Sequence, residues 1–215
     1  MFKSIFNADN WFFRPFGWFV DVVTLSLMWV VCGLVILPLG GASAALYDAS
    51  ARGIRAGELA PWSRFVQSLR ENFRIGIPAG VIVLAACYGL FRLHGLFYAL
   101  ADTGDRRWGA AYIAFWVALA LINGLLAWVF ALLSRFEFGL GGLFATAIRL
   151  GFAHLPSTMA LGAFTTLCLV IGGAFLWTLF FLPCLWALGA SLPVERVFRP
   201  YMEEQGAGED GSSEE

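Results

Sequence analysis

Four long, mainly apolar runs dominate the pattern of hydrophobic and polar positions. They cover residues 16–39, 75–100, 108–133 and 158–182, which makes them 24, 26, 26 and 25 residues long. A helix needs roughly 20 such residues to cross the hydrocarbon core of a bilayer. The pattern therefore predicts an all-α integral membrane bundle with four transmembrane helices.

The connection between the first two runs contains a shorter amphipathic pattern. Trp62, Phe65, Val66, Leu69 and Phe73 recur at helical spacing, and charged residues occupy the other face. Such a segment is typical of a helix that lies flat at the membrane surface. We predict a surface helix over 62–73. Within it, Trp62, Phe65, Leu69 and Phe73 are candidates for docking a partner protein.

The connection between the third and fourth runs has a similar design. Its apolar stripe consists of Leu140, Leu143, Phe144, Ala147 and Ile148. When 65–73 is aligned with 144–152, the aromatic, aliphatic and arginine positions coincide. The alignment predicts a second surface helix and a weak duplication that relates 16–100 to 108–182. The alternative is two unrelated surface helices that obey the same period.

The end of the chain is harder to divide. Apolar character continues past Pro183 to Leu192, and 35 residues from 158 to 192 are too many for one upright span. We favour one span that ends near Pro183, followed by a short interfacial helix; a fifth crossing is the alternative. The last 13 residues, 203–215, carry six acidic residues among Gly and Ser, without Lys or Arg, which predicts a disordered, solubilising tail.

Composition agrees with a membrane protein. The chain is 60% hydrophobic and 13% charged, with a mean hydropathy of +0.75, whereas soluble domains carry about 25% charged residues. The runs occupy nearly half of the 215 residues and leave no room for a soluble catalytic domain. We therefore expect one membrane domain over 1–202. Its dense group of five arginines between 52 and 74 places both long connections in the cytoplasm, with the N-terminus and the 102–107 turn outside.

Polar residues inside spans are functional candidates because they are costly in lipid. Asp21 lies in the first run, Arg92 and His94 near the far end of the second, and Asn123 in the middle of the third. In the predicted topology, Asp21, Arg92 and His94 share the outer leaflet, where an Asp21–Arg92 pair could line a ligand-binding pocket. The alternative is a packing ion pair plus an arginine that reaches the interface.

The sequence offers little other chemistry. Four cysteines lie within the apolar stretches without metal-ligand spacing, and no nucleotide-binding, hydrolase or zinc-protease motif occurs in a workable context. We expect no metal site, no cofactor and no enzymatic activity. Nucleic acid is not an expected partner either, because the basic residues are scattered over the surface helices.

Several stretches together resemble a known family. Residues 6–10 (FNADN), the Asp21-containing span that ends in Leu37-Pro38, residues 41–47 (GASAALY) and residues 65–73 (FVQSLRENF) are similar to the YesL-like family of bacterial membrane proteins. Ala8 departs from the proline usual in the first motif, and the acidic tail looks like an addition. The resemblance extends from about residue 6 to residue 201.

The resemblance implies a function that the residues themselves do not show. YesL-like proteins have no assigned activity, but they are often encoded beside carbohydrate importers of the ATP-binding cassette (ABC) type. This implies an accessory or scaffold protein of the bacterial inner membrane that acts with permease subunits of such an importer. The alternative is a small stand-alone transporter or channel that uses the intramembrane polar residues.

Overall fold

The computed structural model describes residues 13–35, 38–56 and 60–212, and within these it describes the side chains of 17–35, 38–56 and 60–198. The described chain is helical, with no strand. Its elements are α1 (Phe13–Leu34), α2 (Leu39–Asp48), a π-helical continuation (Ala49–Ala56), α3 (Pro61–Ala101), α4 (Arg106–Leu133), α5 (Leu140–Ala153), α6 (Leu155–Ala174), a 3₁₀ turn (Leu176–Phe180) and α7 (Leu182–Ser212). The predicted all-α class is confirmed.

The four predicted spans are confirmed as helices. Among the described residues, α1, α3, α4 and α6 are long and apolar enough to cross a membrane, by length and composition. The last span ends at Ala174 and not near Pro183, because Phe175 adopts an extended conformation and a 3₁₀ turn follows. An integral membrane bundle follows from these four helices.

After α1 the chain turns back at once. The Trp29 indole of α1 donates to the Ser43 hydroxyl of α2 at 3.1 Å. The Ser26 hydroxyl of α1 accepts from the backbone amide of Cys184, and the thiol of the same cysteine contacts the Ser50 hydroxyl. Early residues of α1 therefore lie beside late residues of α2, so the two helices are antiparallel. The start of α1, at Phe13, lies at the same end of the bundle as the π-helical segment. The predicted position of the N-terminus concerns residues 1–12, which lie outside the described part of the chain.

The predicted surface helix over 62–73 is not a separate helix. Pro61 occupies the first turn of α3, where its missing N–H is harmless, and α3 then continues for 41 residues. Phe65 is buried and packs with α1, α2 and α7. The amphipathic stripe was read correctly as one helical face, but α2 covers only one edge of it: Phe65 is buried and Leu69 half-buried, whereas Trp62, Val66 and Phe73 are exposed.

α2 and α3 approach each other through glycines. A Cβ built on Gly80 would lie 2.7 Å from the amide nitrogen of Gly40, and one built on Gly76 would lie 2.6 Å from the Cα of Gly41. Gly76 and Gly80 form a small-xxx-small pair, the spacing that lets membrane helices pack backbone to backbone. Residues 40–51 are consequently all buried.

α4 and α6 form the second close pair. Gly124 and Gly162 meet the partner backbone, and the Trp128 indole donates to the Thr158 hydroxyl at 3.0 Å. α5, the predicted second surface helix, is confirmed as a separate helix that ends at Ala153. Pro156 stands in the first turn of α6, whereas Pro78 lies inside α3, so the two aligned segments differ in structure. The duplication of 16–100 and 108–182 stays a prediction.

α7 does not form a short interfacial helix. It runs back along α6, with the Trp186 indole on the Thr165 hydroxyl at 2.9 Å and Gly189 against the Phe164 ring. Ala187, Ala190 and Val194 are buried in the bundle, because small residues at helical spacing allow close packing. α7 continues through Ser212, so helix rather than coil is described over 203–212; residues 213–215 lie outside the described part of the chain. The boundary of the tail at residue 203 stays a prediction.

Candidate functional site

The structure separates the predicted polar cluster. Asp21 lies on α1 near the start of that helix, and Arg92 lies exposed on α3, nine residues before its end. The ion pairs of the described side chains include neither residue. The predicted Asp21–Arg92 pair is wrong, because α1 begins at the end of the bundle opposite the 102–105 turn.

His94 is part of an aromatic group near the 102–105 turn. Its Nε2 lies 3.1 Å from the Tyr112 hydroxyl, and its ring makes an edge contact with Trp116 at 5.4 Å between centroids. Tyr98 and Phe115 complete the group. These contacts join α3 to α4, so His94 has a packing environment and does not meet Asp21.

Asn123 lies on the wall of a cavity of about 440 Å³ between the helices, which is open to the outside of the bundle. It is 4% exposed, and its Nδ2 donates to the Thr166 hydroxyl at 2.8 Å. The cavity lies between α1, α2, α3, α4, α6 and α7, and its lining is mostly apolar. α2 and α7 both begin at this cavity, with Leu39 and Leu182 on its wall. The structure thus places Asn123, one of the predicted polar candidates, on the wall of a cavity.

The four docking candidates divide between two environments. Phe65 is 1% exposed, and Leu69 is half-buried against the same core. Trp62 and Phe73 are exposed on the outer side of α3, with Val66 between them. The outer face of α3, defined here as Trp62, Val66 and Phe73, is therefore the part that is free to meet a partner.

Sequence reasoning missed a buried carboxylate. Asp48, at the end of α2, is 1% exposed, and its Oδ2 lies 2.6 Å from Nε of Arg64 on α3. Its Oδ1 lies 3.1 Å from Nε of Arg52, one turn further along the chain. A buried charge is tolerated when ion pairs and hydrogen bonds compensate its desolvation. The i,i+4 spacing of Asp48 and Arg52 was a readable signal, but the pairing with Arg64 needed the fold.

A second charged group lies next to the first. Arg135, after α4, binds the Glu195 carboxylate of α7 at 2.5 Å, and the Tyr47 hydroxyl donates to the same carboxylate at 3.4 Å. Arg55 donates to the Ser191 hydroxyl at 3.2 Å. The pKa of Tyr47 is raised above its ordinary value, mainly by burial and to a smaller extent by the nearby Glu195 charge. The phenol therefore stays protonated and remains a hydrogen-bond donor.

We call this side of the bundle the arginine end and define it by the side chains of both charged groups: Tyr47, Asp48, Arg52, Arg55, Arg64, Arg135 and Glu195. The opposite side, at residues 102–105, is the turn end. The arginine end ties α2, α3, α4 and α7 together by charge-assisted contacts. It holds the bundle closed where the helices would otherwise separate.

A long-helix bundle with glycine contacts, paired internal charges and an apolar cavity defines a multi-pass helical membrane protein. Residues 22–92 match the family model described as a protein of unknown function, DUF624. YesL-like proteins carry this domain, so the predicted resemblance is confirmed over the matched residues. The match covers α2, most of α1 and most of α3. No curated protein and no solved structure was found to match the chain.

Proposed function

We propose that the chain is a non-catalytic accessory protein of the bacterial inner membrane that binds a membrane partner through the outer face of α3. The observation that supports this is the exposure of that face on a firmly held helix. Trp62 is 59% exposed, Val66 39% and Phe73 47%. Aromatic side chains on a rigid support are the usual anchors of protein interfaces.

The support for this face is unusually rigid. Next to this face Phe65 is buried, and on the opposite side of the same turns Arg64 is held by the buried Asp48 carboxylate. The helix backbone behind Phe73 is close to Gly41 of α2. A partner would therefore meet side chains that lose little freedom on binding, which favours affinity.

The partner we propose is a permease subunit of a carbohydrate ABC importer. This part rests on the resemblance to the YesL-like family and on its implied association with such importers. Permease subunits are themselves helical membrane proteins, and the outer face of α3 offers both apolar anchors and, at Arg70 and Arg74, exposed cations. A surface of mixed apolar and cationic groups suits a helix near a membrane–water boundary.

The stand-alone transporter has less support. That alternative used a site formed by Asp21, Arg92 and His94, and the structure places Asp21 away from the other two. The polar groups of the described cavity wall are mostly occupied with one another, as in the Trp29–Ser43 and Trp186–Thr165 hydrogen bonds. A sugar needs many free hydrogen-bonding groups, so this cavity does not suit a carbohydrate.

The test is co-purification of the full chain from native membranes with Trp62→Leu and Phe73→Leu combined. Leucine preserves membrane compatibility but removes the aromatic anchors. We expect a permease subunit to co-purify stoichiometrically with the unmodified chain and at least about fivefold less with the double variant, the loss expected for one good anchor residue.

The matched control is Phe91→Leu, because Phe91 is 72% exposed on the same helix but lies about five turns beyond Phe73. It should leave co-purification unchanged. Equal recovery with all variants would remove the outer face of α3 as the docking site. Carbohydrate flux by the purified chain alone in liposomes would instead support the transporter.

A further inference from the structure

The cavity carries an inference that is independent of partner docking. With about 440 Å³, it falls within the range of small-molecule sites, roughly 300–1,000 Å³, and far exceeds an ordinary packing defect. It is bounded by six of the seven helices, so no single flexible segment creates it. Leu126 and Phe130 of α4 and Leu84 of α3 give the wall an apolar character.

The cavity has a way in from the side of α6. Leu169 and Gly173 line the cavity and are also exposed on the outside of the bundle, with Leu169 57% exposed. Since α6 is one of the candidate membrane spans, this exposed side faces acyl chains. An apolar chain can therefore pass from the bilayer into the cavity without crossing water.

Two hydroxyl groups on the cavity wall both donate and accept hydrogen bonds within the protein. The Ser43 hydroxyl donates to the Leu39 carbonyl and accepts from Trp29, and the Thr165 hydroxyl donates to the Leu161 carbonyl and accepts from Trp186.

Asn123 differs from these satisfied hydroxyls. Its Nδ2 is hydrogen-bonded, but within the described part of the chain no hydrogen bond reaches its Oδ1. The residue is more than nine-tenths buried and lies on the cavity wall. An amide oxygen on the cavity wall that accepts no hydrogen bond is open to a donor, so a ligand that supplies an O–H there gains affinity.

We propose that this cavity binds a single-chain amphiphile, an apolar chain that ends in a hydroxyl or a protonated carboxyl group, with the O–H donated to Asn123 Oδ1. The chain fills the apolar space between α3, α4 and α6. Long-chain alcohols and fatty acids share this chemistry, and the experiment distinguishes them. No covalent step is involved.

The experiment uses the full chain in lipid nanodiscs with three photoreactive probes: hexadecanol, palmitic acid and hexadecane, each carrying a diazirine in the chain. We expect the hydroxyl probe or the acid probe, whichever is the physiological type, to label peptides of α4 and α6 saturably. The hexadecane probe should label about tenfold less, which is the value of one well-placed hydrogen bond. If both polar probes label equally, the O–H group that they share is what determines binding.

Two substitutions on adjacent positions separate cavity binding from contact with bulk lipid. Cys168→Phe fills the cavity, and Leu167→Phe adds the same ring on the exposed side of α6. Saturable labelling should fall at least about tenfold for Cys168→Phe and remain unchanged for Leu167→Phe. Equal labelling of both variants would overturn the proposal, because the probe would then be reporting bilayer contact.

A second measurement needs no substitution. Cys87 and Cys168 line the cavity, whereas Cys32 does not. Saturating hexadecanol or palmitic acid should slow alkylation of Cys87 and Cys168 by N-ethylmaleimide at least about fivefold and leave Cys32 unaffected. Asn123→Leu should abolish the preference for the polar probes over hexadecane while retaining chain labelling. Unchanged thiol reactivity with every probe would refute occupancy of the cavity.

Discussion

At the residue scale, the best-defined feature is the buried Asp48 carboxylate. It has almost no exposure, and its two oxygens face Arg64 and Arg52. Removing a charge from water costs several kcal/mol, and only close partners offset that cost. The Asp48–Arg64 pair joins the end of α2 to the first turn of α3, across the π-helical continuation that separates the two helices.

We predict that Asp48→Asn destabilises the chain by about 3–5 kcal/mol, because Arg64 is left as a partly buried charge without its carboxylate. Asp48→Asn combined with Arg64→Gln should recover part of the loss, with a coupling of about 0.5–3 kcal/mol. Thermal unfolding in detergent measures both. Asp105→Asn is the control, since Asp105 is an exposed N-cap at which Asn caps about equally well, so the stability should change little. Strictly additive effects of Asp48 and Arg64 would contradict the pair.

A second prediction at this scale concerns Asp21 and Arg92. Because they lie toward opposite ends of the bundle, the effects of Asp21→Asn and Arg92→Gln on unfolding should add within about 0.3–0.5 kcal/mol. The double-mutant cycle of thermal unfolding midpoints tests this. A coupling above 1 kcal/mol would show that the two side chains meet after all.

At the scale of elements, the contact of α2 with α3 depends on glycine. Gly80→Ala places a methyl group against the backbone of Gly40, and both helices must separate to accept it. We predict a loss of about 1–3 kcal/mol, as for other overpacked sites. Gly89→Ala on the same helix meets nothing within 4 Å and should be neutral or stabilising by about 0.5–1 kcal/mol. Equal unfolding temperatures for the two variants would contradict the close helix contact.

The sequence predicted the long elements well and the short ones poorly. The four spans were readable because each exceeds the length that lipid demands. The helical spacing of Leu46, Tyr47, Ser50, Ala51 and Ile54 predicts a short helix in this connection, and the structure has α2 and its π-helical continuation there. The first half of α2 and its burial were missed, because ten residues are too short to span and the glycines and alanines give little hydrophobic signal. The small residues that weaken that signal are the ones that permit burial.

The candidate site was also predicted only in part, because local pattern shows which residues share a helix but not what packs against them. Trp62, Phe65, Leu69 and Phe73 share a helix, as their spacing indicated, but the direction from which α2 packs decides which of them are exposed. Asn123 was found because an amide in an apolar run is conspicuous. Asp48 and Glu195 were missed because they follow the apolar stretches, where a carboxylate is ordinary; burial by a distant helix cannot be read from local pattern.

At the scale of the whole molecule, the return of α2 along α1 changes the distribution of charge. Arg52, Arg55, Arg64 and Arg135 all lie at the arginine end, and Arg196 follows Glu195 there. The first turn of α4, at the turn end, contributes Arg106 and Arg107. In the topology predicted from the sequence, seven Lys and Arg residues fall on each side of the membrane. With α1 beginning at the arginine end, the positive-inside rule clearly favours that end as cytoplasmic.

The last prediction follows from this asymmetry. In a chain with its four cysteines replaced by alanine, single cysteines at Asn10, Arg55 and Glu137 should be protected from a membrane-impermeant maleimide in intact cells, while Thr103→Cys should react. Permeabilised cells, in which all four positions should react, provide the control for accessibility. Asn10→Cys distinguishes this topology from the one predicted from the sequence. In the latter, the first span leads directly into a cytoplasmic connection, so Asn10→Cys would lie outside and react together with Thr103→Cys. Reaction at Asn10 with protection at Arg55 would mean that α1 and α2 do not lie antiparallel within the bundle, and the glycine contact of α2 with α3 would then need a different path of the chain.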